Sequence, residues 1–264
     1  MAAKYAQHFL INQHAADRIV ESLSLGANDH VIEIGPGKGA LTGRLTGAKT
    51  LGVIEIDPEM VKILAKKFAA FPHVRIFHSD VLKFDFAGLP VTDPPYKVVG
   101  NLPYNLTSPI LRRLADWSNW KEALIMVQKE VADRLCARVN TPAYGALTVG
   151  MSLICEAGFI FELSENSFQP RPRVKSAVVK LTRLEKPLTD DVDGAQMVIQ
   201  AAFQQRRKTI QNSLSHGLQI DKTMVTNILT KHNIDPVWRA ENVPVEKFVD
   251  LSRVFRSENL LKAR

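Results

Sequence analysis

The segment VIEIGPGKGALT, residues 31–42, is the most informative part of the sequence about the fold. Its apolar start is typical of a buried strand, and the segment that follows from Ala40 favours a helix. Gly35, Gly37 and Gly39 lie between the two, where glycine lets backbone amides and a helix N-terminus approach a ligand closely. The stretch therefore predicts a ligand-binding strand–turn–helix unit. A tight turn without a ligand is the alternative, because a glycine-rich turn alone is a weak signal. The spacing also does not match the dinucleotide pattern Gly-x-Gly-x-x-Gly.

The same alternation of strand and helix continues on both sides of this unit. Strands are predicted within HVIEIG, TLGVIEID, VRIFHSD, KVVGN and ALIMVQ, and helices within HAADRIVESLSL, ALTGRLT, PEMVKILAKKFAA, SPILRRLADW and KEVADRLCARV. Short apolar strands that alternate with amphipathic helices indicate an α/β fold, with a doubly wound and mostly parallel sheet.

The pattern changes after residue 145. GALTVGMSLICEA fits either a helix or a strand, whereas FIFELSENSF and SAVVKLTRL favour two strands joined by the loop QPRPRVK. Beyond the polar linker EKPLTDDVDG the pattern is helical, in AQMVIQAAFQQRRKTIQNSLSHGL, KTMVTNILTKHN and VEKFVDLSRVF. We therefore expect an α/β domain over residues 1–186 and a smaller all-α domain over residues 187–264.

Composition narrows the class of protein. The chain has 264 residues, of which 45% are hydrophobic and 23% charged, which excludes a disordered chain. A net charge of +7 favours a polyanionic partner. Cys136 and Cys155 form no Cys-x-x-Cys pair and no metal-ligand spacing, so we expect reduced thiols and no metal site. The absence of an apolar signal core and of a long apolar run predicts a soluble cytoplasmic protein, without membrane contact.

Acidic residues follow two of the predicted strands. Glu55 comes 20 residues after Gly35, at a position where a carboxylate can accept hydrogen bonds from ribose hydroxyls. Asp57 competes for that role but is better placed to cap the next helix. Asp80 follows the third strand and can accept the exocyclic amine of an adenine. The carboxyl ends of parallel strands meet at one edge of a sheet, so a cofactor that contains a nucleoside is expected there; merely solvated acids are the alternative.

Two similar tetrapeptides, Asp93-Pro94-Pro95-Tyr96 and Asn101-Leu102-Pro103-Tyr104, both fit a pattern suited to holding the amino group of a planar base. The strand KVVGN lies between them. The second copy therefore leaves the carboxyl end of that strand, beside the expected cofactor, while the first lies at the opposite edge. We interpret the first copy as a turn and the second as the site.

The residue types of the second copy suit methyl transfer to an adenine amine. That nitrogen is a poor nucleophile because its lone pair is delocalised into the ring. The side-chain oxygen of Asn101 and the backbone carbonyl of Leu102 can accept its two N–H groups and aim the lone pair at an electrophile. Pro103 would fix the turn, and Tyr104 would stack on the base. The alternative is a polar turn with a packed tyrosine.

Nearly the whole chain resembles the rRNA adenine N6,N6-dimethyltransferases of KsgA type. The matching segments are QHFL (7–10), EIGPGKGALT (33–42), VIEID (53–57), Asp80, GNLPYN (100–105), QKEVADRL (128–135), FQPRPRVKSAVVKL (168–181) and FQQRRKTIQNSL (203–214). The resemblance implies a seven-stranded, Rossmann-like class I methyltransferase. It would use S-adenosylmethionine to dimethylate two adjacent adenosines in a hairpin loop near the 3′ end of 16S rRNA, during biogenesis of the small ribosomal subunit.

The resemblance also implies roles for particular residues. The cofactor would contact Gln7, His8, Leu10, Gly35, Gly37, Glu55, Asp80 and Asn101. Asn101, Leu102, Pro103 and Tyr104 would be the catalytic residues, and Phe168 would stack on the target base opposite Tyr104. His8 is interpreted as a neutral hydrogen-bonding side chain without an acid–base role.

Basic residues predict how RNA would be held. The segment from residue 165 to residue 186 contains six Lys/Arg residues and only two acidic residues. A second cluster of basic residues lies near residue 207. We assign RNA contacts to Arg171, Arg173, Lys175, Arg206, Arg207 and Lys208, as a phosphate-binding rim around a cleft between the domains; a solvated face is the alternative. An extruded loop adenosine suits such a rim, because unpaired bases unstack more easily.

Three other functions compete with this one. A resistance-type rRNA methyltransferase would act on the large subunit, but the helical C-terminal domain favours the small one. A DNA adenine methyltransferase would use Asp93, and its position opposes this, so no DNA partner is expected. A non-catalytic assembly factor would not need the cofactor residues. We expect a monomer.

Overall fold

A seven-stranded sheet is the centre of the structure, a computed structural model that describes residues 8–90 and 92–261. The strands are β1 (Phe9–Leu10), β2 (His30–Ile34), β3 (Thr50–Glu55), β4 (Val74–His78), β5 (Tyr96–Asn101), β6 (Trp120–Gln128), β7 (Cys155–Leu163), β8 (Phe168–Gln169) and β9 (Ser176–Arg183). The helices are α1 (Gln13–Ser22), α2 (Thr42–Leu45), α3 (Pro58–Lys67), α4 (Thr107–Asp116), α5 (Lys129–Leu135), α6 (Ala146–Ser152), α7 (Val192–Phe203), α8 (Ile210–Leu218), α9 (Lys222–Lys231) and α10 (Val245–Ser257).

The strand order explains where a ligand can bind. The sheet runs β4-β3-β2-β5-β6-β9-β7, and the five strands from β4 to β6 pair in parallel. The chain moves outward from β2 to β4 and then returns to place β5 on the other side of β2. The gap between the carboxyl ends of β2 and β5 is therefore the topological switch point, where doubly wound sheets bind ligands. The predicted doubly wound, mostly parallel sheet is confirmed.

Local sequence explains the elements that surround this point. Every residue of β2 is buried, as expected for a central parallel strand. Asp57 caps α3 through a 2.9 Å bond from the amide of Glu59, so its predicted capping role is confirmed. Asn12 caps α1 in the same way, by accepting a 3.0 Å bond from the amide of Ala15.

A short antiparallel pair, β1 with β8, was not predicted. Phe9 pairs with Gln169 and Leu10 with Phe168, and the amides of Ile11 and Asn12 donate to the carbonyl of Ser167. The N-terminal segment from His8 to Asn12 is thereby joined to the segment that precedes the loop QPRPRVK.

The chain forms two compact units. One comprises the residues up to Ala132 together with Gly158–Arg183, and the other Asp133–Ala157 together with the residues from Leu184 onward. The sequence had suggested one boundary near residue 187. In the structure the chain passes between the units three times, because the segment Asp133–Ala157 belongs with the C-terminal residues. This segment includes α6, so the ambiguous stretch GALTVGMSLICEA is a helix that is followed by the start of β7.

Close helix packing defines the second unit. A Cβ atom added to Gly217 in α8 would lie 2.8 Å from the Cα of Ala201 in α7, so only glycine permits this approach. The helical pattern over residues 195–218 is broken at residues 204–209, where polar residues separate Phe203 from Ile210. Among the residues that the structure describes, no helix is long and apolar enough to cross a membrane.

Candidate active site

A cavity of 310 Å³ lies at the carboxyl ends of the parallel strands. Its wall includes Gly35 after β2, Glu55 at the end of β3, Asp80 after β4, Asn101 at the end of β5, and the three residues that follow it, Leu102 to Tyr104. His8 and Leu10 form part of the same wall. The structure thus brings together every cofactor-contacting and catalytic residue predicted from the sequence except Gln7, which lies outside the described residues.

The glycine turn has no room for side chains. All three glycines have positive φ angles, of 67° at Gly35, 55° at Gly37 and 77° at Gly39, which disfavour other residues. A Cβ on Gly35 would lie 3.1 Å from the carbonyl oxygen of Asn101, and one on Gly37 would lie 2.6 Å from the ring of Phe9. The turn therefore fits between β5 and the N-terminal segment only as bare backbone.

Glu55 is held by three backbone amides. Oε1 accepts bonds of 2.9 Å from the amides of Ile56 and Asp57, and Oε2 accepts one of 3.2 Å from Gly37. Burial raises the pKa of Glu55, while these three amides oppose the shift because they stabilise the charged form. A carboxylate has about four acceptor positions, so roughly one remains on Oε2 for a ligand hydroxyl.

A second carboxyl group, Glu33 in β2, also lines the cavity. It is 1% exposed, and its Oε2 has no hydrogen-bond partner among the described residues. Burial raises the pKa of Glu33 to about 7 against the opposing effect of hydrogen bonding from Thr42, and the neighbouring charge of Glu55 adds to the rise. A buried acceptor without a partner is costly, and a cationic ligand group in the cavity would satisfy it.

The side chain of Asn101 has a defined orientation. Its Nδ2 donates a 2.8 Å hydrogen bond to the backbone carbonyl of His8. A carbonyl oxygen can only accept, so the amide nitrogen must face His8 and Oδ1 must point the other way. The N-terminal segment therefore leaves the acceptor oxygen of Asn101 available to a ligand in the cavity, as the sequence-based interpretation requires.

Tyr104 is fixed at two points. Its ring stacks against that of His8, with centroids 5.5 Å apart and planes at 27°, and its hydroxyl lies 2.7 Å from Oγ of Ser176. Ser176 begins β9 and is fully buried. His8 is held in turn by a 2.7 Å bond from Nδ1 to the carbonyl of Pro170. Because His8 covers one face of the Tyr104 ring, a base can stack only on the other.

The first tetrapeptide does not reach this cavity. Asp93 is exposed, and Tyr96 is buried at the amino end of β5, where its ring packs against Trp117 at 5.4 Å. Burial also raises the pKa of the Tyr96 hydroxyl. The placement agrees with the interpretation of this copy as a turn at the opposite edge of the sheet.

Phe168 lies elsewhere than its assigned role requires. It is 1% exposed, belongs to the main hydrophobic core with Leu10 and Leu163, and does not line the cavity. The pairing of β8 with β1 and the burial of an apolar ring explain the placement. In this arrangement Tyr104 offers a ring to a base, and Phe168 could do so only by leaving the core.

The six basic residues predicted to bind RNA are exposed and lie outside the cavity. Arg171, Arg173 and Lys175 follow β8, and Lys175 forms a 2.7 Å ion pair with Glu162. Arg206, Arg207 and Lys208 are exposed in the connection from α7 to α8, within the second unit. Their assignment to RNA stays a prediction.

Sequence reasoning missed Glu33 and Ser176. Glu33 had a signal, because it is a charged residue inside the continuous apolar run of β2. Ser176 had none, since its role depends on a contact with Tyr104, a residue 72 positions away in the sequence.

Comparisons with known proteins agree with this geometry. The family described as "Ribosomal RNA adenine dimethylase" matches residues 1–257. A "Ribosomal RNA small subunit methyltransferase A" of Clostridium botulinum (strain ATCC 19397 / Type A) is 40% identical over 251 residues, 93% of this chain and 90% of that protein. Its counterpart in Hydrogenovibrio crunogenus (strain DSM 25203 / XCL-2) is 37% identical, covering 97% of this chain and 96% of the relative.

Two solved structures share the fold over almost the whole chain. A dimethyladenosine transferase from Plasmodium falciparum superimposes with a TM-score of 0.84 at 25% identity, covering 96% of this chain and 98% of the other. The 23S rRNA methyltransferase ErmE gives a TM-score of 0.71 at 27% identity, with coverages of 93% and 98%. By the extent of these matches and the residues that line its cavity, this chain belongs to the ribosomal RNA adenine dimethylase family.

Proposed function

We propose that the protein dimethylates N6 of two adjacent adenosines in a hairpin loop near the 3′ end of 16S rRNA, with S-adenosylmethionine as methyl donor. The family match and the names of the relatives support the reaction and the small-subunit substrate. The single observation that carries the proposal is the orientation of Asn101, whose amide nitrogen is bound to His8 so that its oxygen is left for an amine.

The residues of the cavity fit the proposed cofactor. The glycine turn admits a ligand only against bare backbone, and the orphaned Oε2 of Glu33 suits a ligand ammonium group. Glu55 would hold the ribose, Asp80 the adenine amine, and His8, Leu10, Gly35, Gly37 and Asn101 the remaining contacts, with Gln7 proposed on resemblance alone. When bound, S-adenosylmethionine supplies an electrophilic methyl group on a sulfonium ion.

The acceptor capacity of Glu55 refines its role. Three of its roughly four acceptor positions are filled by backbone amides, so one ribose hydroxyl can bind without rearrangement. A second hydroxyl must replace the amide of Gly37 as a donor to Glu55, because the hydrogen bond from this amide is the longest of the three, at 3.2 Å. Cofactor binding and a small shift of the glycine turn are therefore coupled.

Four consecutive residues would position the target amine. Oδ1 of Asn101 and the carbonyl of Leu102 accept its N–H groups, which favours tetrahedral geometry at nitrogen and directs the lone pair towards the methyl donor. Pro103, with φ −55° and ψ 129°, turns the chain out of β5 so that Tyr104 faces the base. The nitrogen becomes acidic only as it gains a methyl group, and water can take up the released proton, so the chain needs no strong base.

The second transfer makes a different demand on the site. After one methylation the amine has a single N–H left, and only one of the two acceptors can bind it. The other acceptor must then tolerate a methyl group in place of a hydrogen bond. We propose that Asn101 keeps the N–H, because its oxygen is fixed by the bond to His8.

RNA would bind through exposed cations around the site and on the helical unit. Arg171, Arg173 and Lys175 precede β9, and Arg206, Arg207 and Lys208 precede α8. Such residues contact phosphates and position the RNA without reading its sequence. We further propose that residues 187–264 serve RNA recognition, that Phe168 contacts the target after rearrangement, and that the enzyme is a cytoplasmic monomer which takes part in small-subunit biogenesis.

The decisive experiment is methyl transfer from labelled S-adenosylmethionine to small subunits that lack these modifications. Large subunits and adenine-containing DNA are the controls, and mass spectrometry identifies the nucleosides. Dimethyladenosine from small subunits alone is expected. Label in large subunits would move the protein to the resistance-type enzymes, and label in DNA would reverse the choice between the two tetrapeptides.

A matched pair of variants tests the site itself. Asn101→Ala should lower the rate by about 100-fold or more, because it removes a positioned acceptor. Asp93→Ala should leave the rate unchanged, since this residue is exposed at the other edge of the sheet. Equal losses in both variants would contradict the assignment. Continued binding of Asn101→Ala to small subunits would add support for a role in assembly.

A further inference from the structure

A second cavity, of 290 Å³, adjoins the candidate active site. The walls of the two cavities have four residues in common, namely Leu10, Ile11, Lys38 and Ala40. Glu55, Asp80 and Asn101 line only the first cavity, so the second is not part of the site proposed for the ribose, the cofactor adenine and the target amine. We call the second one the Lys67 cavity, after a further residue of its wall.

The wall of the Lys67 cavity is positively charged. Lys38, Arg44 and Lys67 line it, and no acidic residue that the structure describes does so. Arg44 is balanced by Asp17, through a 2.5 Å ion pair outside the wall. Within residues 8–90 and 92–261, neither Lys38 nor Lys67 forms an ion pair. The cavity therefore offers two positive charges that the described part of the chain does not balance.

Hydrogen bonds hold two of these cations in place. Nζ of Lys67 donates bonds of 3.3 Å to two backbone carbonyls of the glycine turn. The guanidinium of Arg44 donates a 2.8 Å bond to the carbonyl of Ala40 and a 3.0 Å bond to Oε1 of Gln13. An ammonium group has three N–H groups and a guanidinium five, so each keeps a donor for a ligand. Cations that are fixed in advance lose less entropy when an anion binds.

The same cavity has an apolar side. Ile11 is 50% exposed there, although it is a large apolar residue, and Leu10 lies beside it. A volume of 290 Å³ is close to the lower end of small-molecule sites, about 300 Å³, and it exceeds what a single inorganic anion would need. The wall therefore suits a ligand that joins an anionic group to a less polar part.

We propose that the Lys67 cavity binds the phosphate group of a phosphate ester, with Lys38, Arg44 and Lys67 around the phosphate and Ile11 against the attached sugar or base. Phosphate oxygens accept short, charge-assisted hydrogen bonds from guanidinium and ammonium groups, and their charge offsets that of the two lysines. A phosphodiester of an RNA strand and a free nucleotide both present this group. Occupation by RNA rests on the proposed function, whereas binding of a free nucleotide does not.

The first test is the binding of uridine 5′-monophosphate (UMP) to the full chain. Saturating S-adenosylhomocysteine is present, so that the proposed cofactor site is filled and only other sites remain for the probe. Calorimetry in a phosphate-free buffer of low ionic strength measures the Kd. We expect saturable binding of UMP that weakens as salt is raised, and no binding of uridine, which lacks the phosphate.

Substitutions then locate the bound UMP. Lys38→Gln and Lys67→Gln should each raise the Kd for UMP by roughly 3-fold to 10-fold, because each removes one cation from the wall. Both side chains are exposed, so neither change should disturb folding. Lys62→Gln is the matched control, since it removes the same charge from the same helix, α3, but Lys62 does not line the cavity. It should leave the Kd unchanged.

Small ribosomal subunits distinguish the two sources of phosphate. If the RNA strand supplies it, UMP should compete with small subunits in the methyl-transfer assay, and Lys67→Gln should raise KM for small subunits without changing the Kd for S-adenosylhomocysteine. If a free nucleotide is the ligand, UMP should not compete, and KM should be the same in Lys67→Gln and wild type. Either result supports a phosphate site.

Three results would overturn the inference: no binding of UMP, equally tight binding of uridine, or an unchanged Kd for UMP in Lys67→Gln. Displacement of UMP by S-adenosylhomocysteine would also overturn it, because these cations would then serve the cofactor. The UMP titration requires no methyl transfer. A wild-type protein that binds UMP but methylates no subunit would therefore refute the proposed function alone.

Discussion

At the scale of single residues, the side chain proposed to stack on the base is held in place by neighbouring residues. The ring of Tyr104 lies between His8 and the hydroxyl of Ser176, a residue that has no access to the cavity. Burial raises the pKa of Tyr104, so the phenol stays neutral beside the Ser176 hydroxyl. The plane of the proposed stacking ring is thus set from outside the cavity.

We predict that Tyr104→Phe, Ser176→Ala and the double variant have the same effect on methyl transfer, a rise of several-fold in KM for small subunits. Each removes one partner of the same 2.7 Å hydrogen bond, so the losses should not add. Steady-state kinetics on the three variants measures this coupling. Cofactor affinity, measured by calorimetry, should stay unchanged, and additive losses would contradict the positioning role.

Glu33 predicts a pH dependence of stability. Its pKa is raised to about 7 in the folded protein, above the ordinary value of 4.5, so folding favours the protonated form. Stability from this group is fully present below pH 4.5 and is lost as pH rises to 7. Glu33→Gln should therefore match the cofactor-free wild type near pH 4.5 and exceed its free energy of unfolding by about 3 kcal/mol above pH 7.

Urea unfolding of both proteins across this pH range measures the difference. A constant difference would show that Glu33 does not change its protonation there. The same substitution should weaken binding of S-adenosylhomocysteine, because it removes the acceptor proposed for the ligand ammonium group. Glu59→Gln is the control, since Glu59 is an exposed residue at the start of α3.

The sequence predicted the polar residues of the cavity better than its aromatic ones. Glu55, Asp80 and Asn101 lie at or just after the ends of consecutive strands. Because parallel strands end at one edge of the sheet, the sequence is enough to predict that these residues lie close together. Phe168 could not be placed in this way, since an isolated apolar ring suits both a core and a stacking surface. Its burial depends on the β1–β8 pair, and strands of two residues leave no periodic pattern to detect.

At the scale of elements, the glycine turn and the N-terminal segment share one space. Phe9 in β1 packs over Gly37, and the carbonyl of His8 orients Asn101 at the end of β5. The N-terminal segment therefore forms part of the cavity wall at the glycine turn and also orients the side chain proposed to bind the target amine. The resemblance predicted His8 and Leu10 as cofactor contacts, but the packing of Phe9 on Gly37 and the bond between His8 and Asn101 are visible only in the structure.

We predict that Gly37→Ala weakens cofactor binding by about 10-fold or more and lowers methyl transfer accordingly. The new Cβ would lie 2.6 Å from the ring of Phe9 and would sit at φ 55°, where a side chain costs about 1–2 kcal/mol. Gly47→Ala is the control, because no atom lies within 4 Å of its Cβ position. Calorimetric titration distinguishes the two, and equal affinities would contradict the steric argument.

At the scale of the whole molecule, the two edges of the sheet have different roles. The carboxyl edge holds the cavity, while the amino edge holds a buried network centred on Lys97. This ammonium lies 2.9 Å from Asp29 and 3.0 Å from Glu122, and donates to the carbonyls of Leu23 and Ser24 at 2.7 and 2.8 Å. It therefore joins β5 to β6 and to the end of α1.

Removal of Lys97 should destabilise the protein strongly. Burial opposes the charge of Asp29, but bonds from Lys121 and Lys97 outweigh it and lower the pKa of Asp29 to about 2. Lys97→Met should cost about 3–5 kcal/mol near pH 7, because two buried carboxylates each lose a partner. The difference from wild type should shrink as pH falls from 4 to 2 and Asp29 is protonated in both proteins.

Chemical denaturation at several pH values measures this effect. Lys62→Met is the control, since its ion pair with Glu59 is exposed and should contribute less than about 1 kcal/mol. A small and pH-independent effect of Lys97→Met would contradict the role of the network.

The fold class was predictable from the sequence, and the division of the chain was not. Alternating apolar strands and amphipathic helices indicate a parallel sheet, and this prediction does not depend on the conformation of the loops. The allocation of Asp133–Ala157 to the second unit depends instead on contacts made far away along the chain. Tyr144, for example, donates a 2.9 Å bond to the carbonyl of Val243, and the side chain of Gln196 donates to the carbonyl of Gly150 at 3.1 Å.

This threading limits how the gene can be rearranged. A single crossover near codon 187 would join the helices of one relative to a segment 133–157 inherited from the other, and Tyr144 and Gly150 would then meet foreign partners. A viable chimera needs two exchanges, one for residues 133–157 and one for the residues from 184 onward. Recombination should therefore preserve these two stretches as one inherited block, although 26 residues separate them in the sequence.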